Sequence, residues 1–243
     1  MKRYYCPNPE IGRLGPEESH HCLTVMRQKE GDYCSVFDGK GLELKVKITG
    51  TDKKVVHFEK VSQNRTNRSE DVICLAQALT KAKSMDLIIQ KATELGVSEI
   101  VPLQSDRSIA QVDSESVESK TEKWRQITID AAKQSGQNWV PSVLTPQKPK
   151  AFVDSLPRTA IKIIGSLQSE ARPLKKILQE TIGATKGPRK VVLMIGPEGD
   201  FTPAEIGEAR AAGFLPVSLG PIVLRSETAA IYTLSTILYE LQS

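Results

Sequence analysis

Two similar blocks near the C-terminus constrain the fold more than any other feature of the chain. In each block an apolar run ends at a Gly/Pro turn and is followed by a helix-forming segment, in residues 191–212 and again in residues 215–241. Continuous apolar runs are typical of parallel strands that are covered on both faces. Because α/β sheets bind ligands at the carboxyl ends of such strands, the two glycine-bearing loops predict a ligand pocket.

The same alternation of strand and helix patterns begins at residue 72, which predicts an α/β domain with a mostly parallel sheet. Thr202 is predicted to cap the helix of the first block, because Pro203 suits the first turn and Glu205 completes a capping box. The predicted strands are residues 72–78, 99–103, 160–165, 191–195 and 215–219, and the predicted helices are residues 84–95, 116–135, 173–180, 203–212 and 226–241.

The N-terminal part has a different pattern. Short β-type runs in residues 2–6, 32–37, 42–48 and 55–61, with one short helix near residues 17–27, predict a small β-barrel. Residues 62–71 contain almost no apolar side chain and predict a linker. We therefore expect two domains, residues 1–68 and residues 71–243.

Bulk properties exclude some classes of protein. No apolar run approaches the length of a membrane span, and the first residues lack the apolar core of a secretory signal. The four cysteines have no metal-ligand spacing, so we expect no metal and reduced thiols in a cytoplasmic protein. The net charge of +4 permits an RNA partner but does not demand one.

Several motifs carry a resemblance to a known family. The segments IGPEGDFTPAEI and LGPIVLRSETAA resemble the two cofactor-loop signatures of the ribosomal RNA small-subunit methyltransferase E family, whose members are S-adenosylmethionine-dependent enzymes of the SPOUT superfamily. Other motifs match in the same order along nearly the whole chain. They are Arg3-Tyr4-Tyr5, His21 with Val25-Met26-Arg27, Phe37-Asp38-Gly39, residues 90–97, Ser105-Asp106-Arg107-Ser108, Trp124 and residues 131–136.

The resemblance implies more than the residue patterns do. It implies a PUA-like β-barrel that binds RNA, followed by an α/β domain with a SPOUT trefoil knot that forms a homodimer. The implied reaction is methylation of uracil N3 in 16S rRNA, at uridine 1498 in conventional numbering, on small-subunit RNA or the assembled subunit.

Methyl transfer depends mainly on positioning and electrostatics, so backbone groups of the Gly/Pro loops are expected to hold the cofactor. Apolar side chains of these loops are expected to sandwich its adenine ring, and the end of the third strand, Gly165-Ser166-Leu167, is expected to complete the pocket. The expected cofactor-binding residues are Gly165, Ile195, Gly196, Pro197, Glu198, Gly199, Leu219, Gly220, Leu224, Arg225 and Thr228.

Three charged residues are candidates for catalysis, because uracil N3 must lose a proton to react. Arg225 is expected to stabilise the uracil anion or to hold a phosphate, although it could merely pair with Glu227. Glu227 is the nearest candidate base, with satisfaction of helix-end amides as the alternative. Glu198 either faces the target base or pairs with the N-terminus of the following helix.

Basic residues in loops are the candidates for RNA contact, because Lys and Arg supply affinity for phosphate. The family usually has arginine where this chain has Thr24, Gln137 and Ile222, which removes positive charge from the expected RNA path. The expected RNA-binding residues are Arg3, Arg27, Lys81, Lys83, Arg107 and Lys133.

Two alternative functions stay open at this point. One is a SPOUT methyltransferase that acts on another RNA nucleotide, and the other is a non-catalytic RNA-binding factor of ribosome assembly. The presence of both Gly/Pro loops favours an enzyme, because a protein that only binds RNA has no need of a cofactor pocket.

Overall fold

The computed structural model describes residues 2–242, which form two compact units. The first unit contains residues 2–68 and 129–140, and the second contains residues 69–128 and 141–242. The two domains were expected to be continuous segments, yet a stretch from the middle of the chain belongs to the first unit. The physical reason lies in contacts such as those of Arg3, which no local sequence pattern reveals.

The first unit is built on a four-stranded sheet. Strand β1 (Arg3–Tyr5) pairs in parallel with β2 (Tyr33–Phe37), and the antiparallel strands β3 (Leu42–Asp52) and β4 (Val55–Arg65) follow in that order. No ladder among residues 2–242 joins β1 directly to β4. Residues 12–14, which follow β1, pair with β4 instead, because the Leu14 amide donates to the Val56 carbonyl and the Phe58 amide donates to the Gly12 carbonyl, each at 2.9 Å. Strand β4 therefore has backbone partners on both sides, which is consistent with the predicted β-barrel.

The β3–β4 hairpin is longer than predicted at both ends. Its turn lies at Lys53 and Lys54, whose positive φ values of 46° and 69° suit a two-residue hairpin turn. At the other end, Ser62, Asn64 and Arg65 pair with β3, although these residues were predicted to be linker. Backbone pairing needs no apolar side chain, which is why a polar stretch was able to extend the strand.

Helix α1 (Pro16–His20) continues into a π-helical turn at His21–Val25, close to the single helix predicted there. Three of the free cysteines, among them Cys34, are buried beside this helix in the core of the first unit. Burial raises the pKa of the Cys34 thiol to about 12, so it remains protonated at neutral pH. These cysteines act as small apolar side chains of the core.

The second unit contains a seven-stranded sheet in which every pairing is parallel, which confirms the predicted α/β class. The strand order is β7-β6-β5-β10-β8-β11-β9. The bounds are β5 Val72–Ala78, β6 Glu99–Leu103, β7 Ser142–Val143, β8 Ile161–Gly165, β9 Arg172–Pro173, β10 Lys190–Ile195 and β11 Leu215–Ser218.

Helices cover the sheet, and their bounds agree closely with those predicted except for one short helix, α4. That helix and the two-residue strands β7 and β9 are too short to give a periodic pattern. The helices are α2 Ala82–Glu94, α3 Val117–Ser135, α4 Pro149–Asp154, α5 Leu174–Thr181, α6 Pro203–Ala211 and α7 Ser226–Leu241.

The centre of the sheet explains the apolar run at residues 191–195. Val191, Leu193 and Ile195 belong to one buried cluster, whereas Val192 and Met194 belong to another. Because successive side chains of a strand point to opposite faces, a strand covered on both sides must be apolar throughout. Among the residues described, no helix is long and apolar enough to span a membrane.

Candidate active site

A pocket of the second unit lies at the carboxyl ends of three neighbouring strands. The loops after β8, β10 and β11, together with the start of α7, surround a cavity of about 270 Å³. It thus occupies the edge of the sheet where the Gly/Pro loops predicted a ligand site. The predicted cofactor residues that line it are Gly165, Ile195, Gly196, Pro197, Glu198, Leu219, Gly220 and Leu224.

The remaining predicted cofactor residues lie outside the lining. The carbonyl of Gly199 faces away to accept a hydrogen bond from Nη1 of Arg107 at 3.0 Å. Thr228 is exposed in the first turn of α7. Arg225 immediately precedes that helix and its side chain is exposed, while its carbonyl accepts a hydrogen bond from the Ala229 amide at 2.8 Å. These three residues therefore border the pocket in sequence without forming its wall.

Several lining residues were not predicted from the sequence. Ile222 and Val223 form part of the wall and are 71% and 73% exposed, although Ile222 was interpreted only as a lost positive charge. Two apolar residues directly after the turn at Gly220 and Pro221 were a signal for a ligand-facing surface. The other missed residues are Gln168, Asp200, Ser218, Pro221, Ser226 and Ala229.

Glycine is required in the pocket for two different reasons. A Cβ atom at Gly196 would lie 3.2 Å from both Asp200 Oδ1 and the Phe201 nitrogen, closer than nine in ten real Cβ contacts, so its neighbours would have to shift. Gly220 has open space around it, but its φ of +130° lies in a region that other residues rarely adopt. The first glycine permits close packing of the loop, and the second permits its backbone conformation.

Asp200 joins two of the pocket loops. Its Oδ2 atom accepts a hydrogen bond from the Leu167 amide at 3.1 Å, and its Oδ1 atom accepts one from the Phe201 amide at 2.8 Å. Asp200 has a φ of +59°, a left-handed conformation that aspartate tolerates better than most residues. The carboxylate therefore fixes the loop after β8 against the loop after β10.

We expect Asp200→Ala to weaken binding of a pocket ligand about tenfold, because two charge-assisted hydrogen bonds are lost and the β8 loop is freed. Calorimetric titration with S-adenosylhomocysteine measures the effect. Asp200→Asn serves as the matched control, since its side-chain oxygen retains one of the two bonds. An affinity for Asp200→Ala equal to that of the wild type would contradict the role.

Helix α6 begins with the capping box that the sequence predicted. The Thr202 amide donates to Glu205 Oε2 at 2.8 Å and the Glu205 amide donates to Thr202 Oγ1 at 3.2 Å. Because this box satisfies the helix end, Glu198 is not needed there. Glu198 is instead exposed and lines the pocket, which leaves its carboxylate available to a ligand.

The other two candidate catalytic residues lie beside the pocket. Glu227 is half-buried in the first turn of α7 but is not part of the lining. Across residues 2–242, no ion pair involves Arg225, so the alternative in which it merely pairs with Glu227 is not observed. The guanidinium of Arg225 thus extends into solvent next to the pocket wall.

Two of the six residues expected to bind RNA are occupied inside the first unit, which corrects those predictions. The Arg3 side chain is 9% exposed, donates to the carbonyls of Ala132 and Gln137 at 2.8 Å each, and stacks 4.0 Å from the centre of the Phe37 ring. All three nitrogens of its guanidinium therefore donate to groups within the first unit.

Lys133 is also a structural residue. Its ammonium group is 2.7 Å from Glu18 Oε1 and 2.8 Å from Asp130 Oδ1, and the side chain is only 15% exposed. Arg27, Lys81, Lys83 and Arg107 are exposed, as expected of RNA contacts. Of these, Lys81, Lys83 and Arg107 follow β5 and β6 at the same edge of the sheet as the pocket.

Comparison with known proteins identifies the family. A model described as an RNA methyltransferase domain matches residues 67–238, and one described as an RNA methyltransferase PUA domain matches residues 14–61. The ribosomal RNA small subunit methyltransferase E of Mesomycoplasma hyopneumoniae is 33% identical over 216 residues, which cover 89% of this chain and 88% of that protein. The chain belongs to the ribosomal RNA small subunit methyltransferase E family. This membership confirms the predicted family, enzyme class and fold class.

Solved structures agree with this family over almost the whole chain. A methyltransferase from Legionella pneumophila in complex with bound SAM is 33% identical with a TM-score of 0.87, covering 98% of this chain and 97% of that one. A ribosomal RNA small subunit methyltransferase E from Neisseria gonorrhoeae, bound to S-adenosyl methionine, is 31% identical with a TM-score of 0.85 and the same coverage.

Proposed function

We propose that this chain transfers the methyl group of S-adenosylmethionine to N3 of a uracil in small-subunit ribosomal RNA, the residue numbered 1498 by family resemblance. The observation that carries the proposal is the pocket, in which three loops and the start of α7 converge at one edge of the sheet. A SPOUT-type knot in the second unit belongs to the same proposal.

The residues of the pocket suit a nucleoside cofactor. Ile195, Leu219 and Leu224 supply apolar surface for an adenine ring, and Gly165 and Gly196 leave room where a Cβ atom would crowd Ile195 and Asp200. When bound, S-adenosylmethionine supplies an electrophilic methyl group on a sulfonium. The loops have the task of fixing its orientation toward the target base.

Glu198 and Arg225 are the side chains that we assign to the target nucleotide. Glu198 is the carboxylate on the pocket wall and would accept the proton of uracil N3. Arg225, exposed and without an ion pair in the described part of the chain, would stabilise the negative charge of the uracil or hold its phosphate. Glu227 is the second choice for this base after Glu198, because Glu227 does not line the pocket.

The two units would divide the work. The first unit, which contains the PUA match, would capture RNA with exposed basic residues such as Arg27, while Lys81, Lys83 and Arg107 would hold RNA at the edge of the pocket.

We also assign the protein to the cytoplasm, where this RNA is made. A homodimer would form through α7, which exposes Tyr232 and Tyr239 and has few charged side chains, and light scattering of the purified protein tests it.

The decisive experiment is methylation of purified small-subunit RNA and of assembled small subunits by this protein with labelled S-adenosylmethionine. Mass spectrometry of nuclease fragments should locate one methyl group on uracil N3. Methylation at another nucleotide would replace the proposed target. Tight RNA binding without methylation and without binding of S-adenosylhomocysteine would instead support the non-catalytic assembly factor.

A further inference from the structure

Gln77 is a buried amide at the end of β5, one strand away from the pocket loops. Its side chain is fully buried, and the residue pairs in register with Ile195, the last residue of β10. The Nε2 group donates to the Ala78 carbonyl and to Ser226 Oγ, each at 2.9 Å. Because the rest of β5 is apolar, this amide needs such hydrogen bonds to offset its desolvation.

The Ser226 hydroxyl extends this contact to the pocket. Ser226 is the first residue of α7, is 4% exposed, and donates to the Gly196 carbonyl at 2.7 Å. It therefore connects β5, the start of α7 and the loop after β10. Both Ser226 and Gly196 line the pocket.

The direction of these hydrogen bonds is fixed. The Nε2 group faces the carbonyl oxygens of Ala78 and, at 3.5 Å, Ile195, so turning the amide over would place its oxygen against two acceptors. Ser226 must therefore accept from Gln77 and use its own proton for Gly196. An amide donor at this position, rather than any polar group, is what the arrangement requires.

Core stability does not explain this glutamine. Its Oε1 atom is buried and has no hydrogen-bond partner within residues 2–242, which destabilises the folded state. An unbranched apolar side chain of the same length would avoid that cost. The benefit of Gln77 therefore lies in the contact that it makes with Ser226.

We propose that Gln77 is a positioning residue for the cofactor, acting through Ser226 to set the start of α7 against the Gly196 loop. The inference rests on the proposed use of this pocket for S-adenosylmethionine. Gln77 is not itself part of the lining, so it would not touch the cofactor.

Titration of the full-length protein with S-adenosylhomocysteine tests the role. Gln77→Met keeps the length of the side chain and removes its donor, and we expect the dissociation constant to rise about tenfold. Ser226→Ala should have a similar effect. Both variants interrupt the same chain of hydrogen bonds from Gln77 through Ser226 to Gly196. The double variant should therefore bind S-adenosylhomocysteine no more weakly than whichever single variant has the lower affinity.

The pH dependence of ligand binding by Gln77→Glu distinguishes a positioning role from a merely structural one. A carboxylate at this position cannot donate to Ser226 and would draw the serine proton away from Gly196, whereas the protonated acid can donate. The affinity of this variant should therefore recover as the pH falls from about 8 to about 6, relative to the wild type at each pH.

Thr233→Val is the matched control, because it removes a buried hydroxyl of α7 that has no hydrogen-bond partner in the described chain. Its affinity should be that of the wild type. Wild-type affinity in Gln77→Met, or additive losses in the double variant, would overturn the inference. If Gln77→Met does not fold, unchanged affinity in Ser226→Ala would overturn it and a tenfold loss would support it. Absence of binding by the wild type would refute the proposed function itself.

Discussion

Gly220→Val is expected to abolish cofactor binding while the protein stays folded. Gly220 lines the pocket with a φ of +130°, so a β-branched side chain would force the loop after β11 out of its conformation. We expect the dissociation constant of S-adenosylhomocysteine to rise about 100-fold or more, with unchanged far-ultraviolet circular dichroism. Calorimetry at saturating protein concentrations measures the loss.

Gly213→Val separates this effect from general strain. Gly213 has a φ of +92° with open space around it, as Gly220 does, but it follows α6 and does not line the pocket. The substitution should lower the free energy of unfolding by about 1 kcal/mol or more and leave the affinity for S-adenosylhomocysteine unchanged. If Gly220→Val binds with wild-type affinity, the loop after β11 is not part of the cofactor site.

The part of the structure that the sequence predicted well is the part governed by local pattern. The run at residues 191–195 must be apolar because each face of β10 packs in a separate core, and Thr202 and Glu205 form the capping box that their spacing indicates. The loops that follow such strands are placed by the topology of a parallel sheet. Most of the pocket lining was therefore accessible from sequence.

Contacts between residues distant in sequence account for the predictions that were wrong. Arg3 and Lys133 looked like free cations, but their partners Ala132 and Glu18 lie more than 100 residues away in the chain. The same contacts place residues 129–140 in the first unit. The position of Gln77 could have been noticed in the sequence, since it is the one strongly polar residue in the strand Val72–Ala78. Its partner Ser226, 149 residues away, could not have been predicted.

The side chain of Arg225 has no ion pair or hydrogen bond among residues 2–242, and this leads to the second large effect. Arg225→Ala should lower kcat for RNA methylation about 100-fold and leave the affinity for S-adenosylhomocysteine within about threefold. The side chain is exposed and outside the lining, so its removal should not disturb the cofactor, whereas charge that develops on the uracil would lose its stabilising cation. Single-turnover methylation at saturating RNA and cofactor measures the chemical step.

Two further variants define what the guanidinium contributes. Arg225→Lys keeps the charge but loses the planar pair of donors, so an intermediate rate is expected. Arg158→Ala removes an exposed arginine that precedes β8, at the opposite edge of the sheet, and should leave kcat unchanged although the net charge falls equally. If Arg225→Ala instead loses cofactor affinity and retains its rate at saturation, Arg225 shapes the loop before α7 and does not act on the target nucleotide.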